Sequence, residues 1–146
     1  MASFSGFPSG KMHSIPIPEP FFTDLLPEID NLAELKVTLH ALWLLDHQEG
    51  SIRYLMDKDF LEDERFMQGM DADLDGAVNV IRDALERACQ RGSLIFVKAP
   101  EGKVYFLNSP RGRASAEGLS KGSWTLSDHP QGGMTLEMAR PNLYTL

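Results

Sequence analysis

The chain has one cysteine in 146 residues. Cys89 therefore has no partner within the chain, which excludes an internal disulfide. It falls inside a helical pattern, where a lone cysteine reads as a small apolar residue. No apolar run approaches the roughly 20 residues that a membrane-spanning helix needs. The opening MASFSGFPSGK has no basic region leading into an apolar one, so it does not read as a secretory signal. Together these absences favour a cytoplasmic location. Patterns that carry chemistry are missing too: no H-E-x-x-H, no paired cysteines, no Gly-x-Ser-x-Gly and no phosphate-binding glycine loop. Carboxylates are plentiful, but nothing in their spacing nominates an acid–base pair. Neither an enzyme, a cofactor nor a metal is expected.

Excess positive charge is also lacking. The net charge is −7 and unevenly spread. Residues 19–90 hold 17 acids and 6 bases, whereas residues 91–146 hold 4 acids and 7 bases. An acidic body repels nucleic acid on average, so any DNA contact is expected from the second half. The length suits one domain with a real core, and 42% hydrophobic with 24% charged residues is ordinary for a globular protein.

What is present is concentrated in residues 15–50, where a proline-punctuated apolar lead-in precedes one helix. Pro16, Pro18 and Pro20 keep the start of the lead-in extended, and a short helix is expected over 19–26. Residues 32–46 contain no Gly or Pro. Asn31 is the expected N-cap, with Glu34 three residues on as a reciprocal capping box. Leu35, Leu39 and Leu42 form one stripe, widened by Val37, Ala41, Leu44 and Leu45, so this helix should be central with neighbours on several sides. Residues 51–56 (SIRYLM) read as a short strand. Asp57 is expected to cap a second helix running to about residue 70. Residues 71–76 read as a loop, Asp75 as the cap of a third helix over 77–91, and Gly92 as its C′ residue. SLIFVK and KVYFL around A-P-E-G read as a hairpin, followed by a short helix over 110–119. There are no internal repeats. The order helix, strand, helix, helix, strand, turn, strand is that of a winged helix, so the expected fold is mainly α (α+β), a winged helix-turn-helix with an N-terminal extension and a β-hairpin wing.

Asp71-Ala-Asp-Leu-Asp-Gly imitates the first half of a calcium loop, but position 12 is Arg82 instead of the bidentate glutamate such loops need. His40 and His47 lie two turns apart on one helix, about 10 Å of rise, too far for one metal, and His13 and His129 fall in expected loops. In the third helix, where a DNA-reading helix would sit, the solvent positions Asn79, Arg82, Asp83, Glu86, Arg87 and Gln90 carry as many acids as bases. Lys98, Lys103, Arg111, Arg113 and Lys121 have two readings: a surface contacting DNA phosphates, or solvated charges protecting a strand edge. The negative field favours the second. Ile15, Ile17, Phe21, Phe22, Leu25 and Leu26 also have two readings, a strap over the chain's own core or a seam between copies. The seam is preferred because a winged helix needs no strap, and Trp124 is expected on the same surface.

IPEPFFTDLLPEIDNLAELKVTLHALWLL, ALERACQRGSLIFV, YFLNSPRGR and the final RPNLYTL resemble the N-terminal domain of the DnaD family of bacterial replication-initiation and primosome proteins. The resemblance covers roughly residues 15–146 and rests on structural, apolar motifs. It implies a non-enzymatic protein whose winged-helix domain self-associates, as a homodimer or higher homo-oligomer, and contacts other replication initiation proteins. It also implies that DNA is bound mainly by a helical C-terminal domain absent from this chain. On this reading residues 1–14 are a flexible N-terminus, 15–119 the winged-helix domain with its extension at 15–30, and 120–146 a linker. The apolar ending L-Y-T-L fits truncation just before a further element. The alternative is a winged-helix transcription regulator reading DNA with its third helix.

Overall fold

The computed structural model describes residues 4–71 and 73–131. It is a mixed α+β fold in which an antiparallel hairpin follows a group of helices. The expected linker is thus described only as far as Gln131, and the RPNLYTL segment lies outside the described residues. Among the described residues no helix is long and apolar enough to cross a membrane.

The lead-in ends in one wide π-helical turn, Phe21–Leu25, and a 3-10 turn, Leu26–Glu28. The first α-helix, α1, spans Leu32–Asp46, and the Asn31 side chain accepts from Glu34 N at 2.9 Å. Only that half of the expected capping box forms, because the Glu34 carboxylate turns inward to an arginine. Val37, Ala41, Leu44 and Leu45 form the buried face of α1, whereas Leu35, Leu39 and Leu42 are half-buried. The expected primary stripe is therefore a secondary one, because the long helix over Leu74–Arg91 packs against α1 and buries the Val37, Ala41, Leu44 and Leu45 face.

Residues 51–56 do not form a full strand. They contribute a single antiparallel bridge, Leu55 to Tyr105, with N–H···O distances of 2.9 and 2.7 Å. The Gln48 side-chain amide explains the shortfall. It donates to Tyr54 O at 2.6 Å and accepts from Tyr54 N at 3.0 Å, standing in for a neighbouring strand.

The expected second helix is two short ones, α2 (Asp57–Leu61) and α3 (Glu64–Gln68). Asp59 accepts from Met56 N at 2.7 Å at the first start, and Asp63 from Phe66 N at 3.0 Å at the second. A carboxylate that caps a new start interrupts the continuous helix. Helix α4 covers Leu74–Arg91, starting three residues earlier than expected. Its cap is Asp73, not Asp75: the Asp73 carboxylate accepts from Gly76 N at 3.1 Å. Gly76 suits this first turn because a Cβ there would sit 2.8 Å from Asp71 Oδ2. Gly92 ends α4 in the left-handed conformation, φ 94°, as expected.

Strands β1 (Leu94–Ala99) and β2 (Gly102–Leu107) pair from Leu94–Leu107 to Ala99–Gly102, and α5 follows over Pro110–Lys121, capped by Ser109. Val104, Tyr105 and Phe106 are all buried because the hairpin is covered on both faces. Leu94 and Tyr105 join Val37, Ala41, Phe60, Ile81 and Leu85 in the main core. Val104 and Phe106 face the other way, to Tyr54, Ala116, Trp124 and Leu126. The double coverage accounts for the lack of polar alternation in KVYFL.

Candidate functional site

The lead-in lies along α1. Pro16, Ile17 and Pro18 form one wall of a groove of about 330 Å³ whose other walls include Leu42, Leu45, Arg53, Arg111 and Gly112. At the far end of the lead-in, Arg91, the last residue of α4, ties it down. Arg91 Nε donates to Glu34 Oε2 at 2.6 Å and Nη2 to Oε1 at 3.1 Å, while Nη1 donates to Glu28 O at 2.8 Å and Nη2 to Asp30 Oδ1 at 3.2 Å. Glu34 is fully buried, so this bidentate pair is the charge compensation its carboxylate needs. A carboxylate three residues into a helix reads locally as a capping group, which is why this role is not legible in the sequence.

The residues expected at an interface divide three ways. Phe21 and Trp124 are buried by their own chain. Trp124 lies over Gly118 and donates from Nε1 to Ser115 O at 2.9 Å, inside the second core and not on the lead-in surface. Ile15, Ile17 and Leu25 are half-buried. Phe22 and Leu26 stand out at 51% and 36% exposure, and Leu32, at the start of α1, at 66%. The lead-in is thus partly a strap and partly an uncovered apolar surface.

The outer face of α4 carries the six exposed residues expected there. Its two arginines are engaged within the chain: Arg82 Nη2 lies 3.4 Å from Asp57 Oδ2, and Arg87 Nε 2.8 Å from Asp83 Oδ2. The bases after α4 do not act as one set. Lys98 and Lys103 face each other across the hairpin, and Lys103 Nζ lies 4.6 Å above the Phe96 ring. Arg113 donates to Asn108 Oδ1 at 3.0 Å, Lys121 pairs with Glu117 at 2.7 Å, and Arg111 lines the lead-in groove.

His40 is stacked against Phe66, centroids 4.0 Å apart, and against Trp43, 5.4 Å apart. Burial lowers its pKa to about 4, against the opposing pull of Asp63, whose Oδ2 lies 3.4 Å from Nε2. It is a neutral packing residue at pH 7. Burial pushes the Cys89 thiol up to about 11, which leaves it unreactive. In the acidic 71–76 stretch, Asp73 caps α4 and Asp71 accepts from Asp73 N at 3.0 Å.

One cluster is not legible in the sequence. His13, expected in a loop, meets Asp46 and His47 at the end of α1, with one ligand-type atom of each within 4.8 Å of the others. The lead-in brings the two histidines together by running back along the helix, a tertiary arrangement that no local spacing encodes. No protein-family model, no curated protein and no solved structure matches this chain.

Proposed function

We propose that this chain is a non-enzymatic, cytoplasmic association module of the DnaD-like replication-initiation type. It is a winged helix whose main work is contact with further copies of itself and with other initiation proteins. The observation that carries the reading is the exposure of three large apolar side chains, Phe22 and Leu26 on the lead-in and Leu32 at the start of α1, on either side of the Glu28 carbonyl that Arg91 holds. Large apolar and aromatic side chains dominate buried interface energetics, and grouped exposure of them marks contact sites. The half-buried Ile15, Ile17 and Leu25 border the same segment. Phe21 and Trp124 support the fold of each copy.

The alternative, a DNA-reading regulator, is disfavoured by the ion pairs that engage Arg82 and Arg87, and by the net charge of −7. The test is solution mass. Phe22→Ser with Leu26→Ser should leave a folded chain, because both side chains are exposed, and should convert an oligomer to a monomer in light scattering. An unchanged mass would refute the association surface.

A further inference from the structure

We propose that His13, Asp46 and His47 form a binding site for one borderline divalent transition-metal ion, Zn²⁺ above all, which clamps the N-terminal segment onto the end of α1. The site goes beyond the association reading and stands apart from it.

Three observations carry the proposal. First, the donors converge. His13 Nε2 lies 4.0 Å from Asp46 Oδ2, the two imidazole centroids are 5.1 Å apart, and one donor atom from each residue falls within 4.8 Å of the others. A tetrahedral zinc ion with bonds of about 2.0–2.1 Å holds its ligand atoms roughly 3.4 Å apart. Separations of up to 4.8 Å must close by as much as about 1.4 Å to reach that spacing, and His13 sits on an irregular, exposed segment that leaves room for such a shift.

Second, the His47 ring is already braced at one nitrogen by the backbone. Its Nδ1 lies 2.8 Å from Trp43 O. A carbonyl only accepts, so Nδ1 carries the proton and Nε2 keeps its lone pair. A backbone carbonyl holding the second nitrogen is the usual outer support of a metal-bound histidine.

Third, the electrostatics call for a cation. Asp46 is the last residue of α1, where the helix dipole is negative and a carboxylate is disfavoured. The neighbouring Arg53 guanidinium donates to Leu45 O at 3.3 Å and Gly50 O at 3.0 Å. Among the described residues the carboxylate's one partner at ion-pair distance is the His13 imidazole nitrogen, at 4.0 Å.

The donor set selects the ion. Two imidazoles and one carboxylate suit zinc, cobalt or nickel, whereas calcium and magnesium prefer oxygen donors throughout. Three protein ligands leave a fourth position for water.

The experiment is calorimetric titration of the untagged full chain with Zn²⁺, followed by Co²⁺ absorption. The expected result is one ion per chain, a tetrahedral cobalt spectrum, and a rise in Tm of roughly 5 °C at a hundredfold excess over Kd. His13→Ala and Asp46→Asn alter accessible or half-buried side chains, keep the fold, and should each weaken binding at least about tenfold, since even residues behind metal ligands are worth that much. No saturable binding overturns the proposal. So does undiminished binding in His13→Ala, which would put the ion elsewhere, or a doubling of mass on adding zinc, which would mean that two copies supply the ligands.

Discussion

His40 and Arg91 show how far a single residue's environment departs from its appearance in the chain. His40 has a folded-state pKa of about 4 because burial between aromatic rings penalises the imidazolium. Its unfolded value is near 6.5. The unfolded chain therefore takes up this proton first as pH falls. The stability tied to neutral His40 is complete above pH 6.5 and declines as pH falls from there to about 4. The loss across that window should be on the order of 3 kcal/mol. Urea midpoints at pH 7.5 and 4.5 should show it, and His40→Phe should flatten the difference. A second contrast concerns two arginines. Arg91→Ala strands the buried Glu34 carboxylate and should lower Tm by on the order of 10 °C, whereas Arg87→Ala, which breaks an exposed pair, should shift it by no more than about 1 °C.

At the scale of elements, close backbone approach decides which substitutions are tolerated. A Cβ at Gly112 would fall on the Leu107 carbonyl, where the first turn of α5 meets the end of β2. Gly112→Ala should cost about 3 kcal/mol by overpacking. Gly122, left-handed at φ 80° with open space around its Cβ position, should cost only about 1–2 kcal/mol on the same change. Chemical denaturation of the two variants separates steric from conformational penalty.

The elements legible in the sequence were those set by local signals: α1 from its Asn31 cap, the end of α4 from Gly92, and the hairpin from A-P-E-G; the short helix expected over 110–119 is α5. Those that departed were set by contacts from afar. Residues 51–56 lost their strand character to Gln48, and the expected long second helix gave way where Asp63 found a backbone amide to cap. The candidate surface was legible as a greasy stretch, but not which of its residues the chain covers. Adjacent Phe21 and Phe22 have opposite fates, one inward and one outward, and nothing local distinguishes them.

For the molecule as a whole, charge and exposed apolar surface point the same way. Among the described residues the body is acidic, and at the hairpin end Lys98 and Lys103 stand opposite each other. That arrangement discourages strand pairing between molecules, since like charges directly opposite are unfavourable and edge lysines block further strands. Duplex binding by this chain should stay weaker than micromolar at physiological salt, and Arg82→Ala with Arg87→Ala should leave it unchanged in a fluorescence-anisotropy titration.

The Arg91 anchorage also has thermodynamic meaning for encounter between molecules. A greasy peptide that had to find its shape upon docking would spend ordering entropy at that moment. Here the guanidinium grips the Glu28 carbonyl within a lone molecule, so the end of the lead-in is already ordered in a single chain. On the association reading proposed above, assembly would resemble rigid bodies touching, quick to form and modest in heat-capacity change.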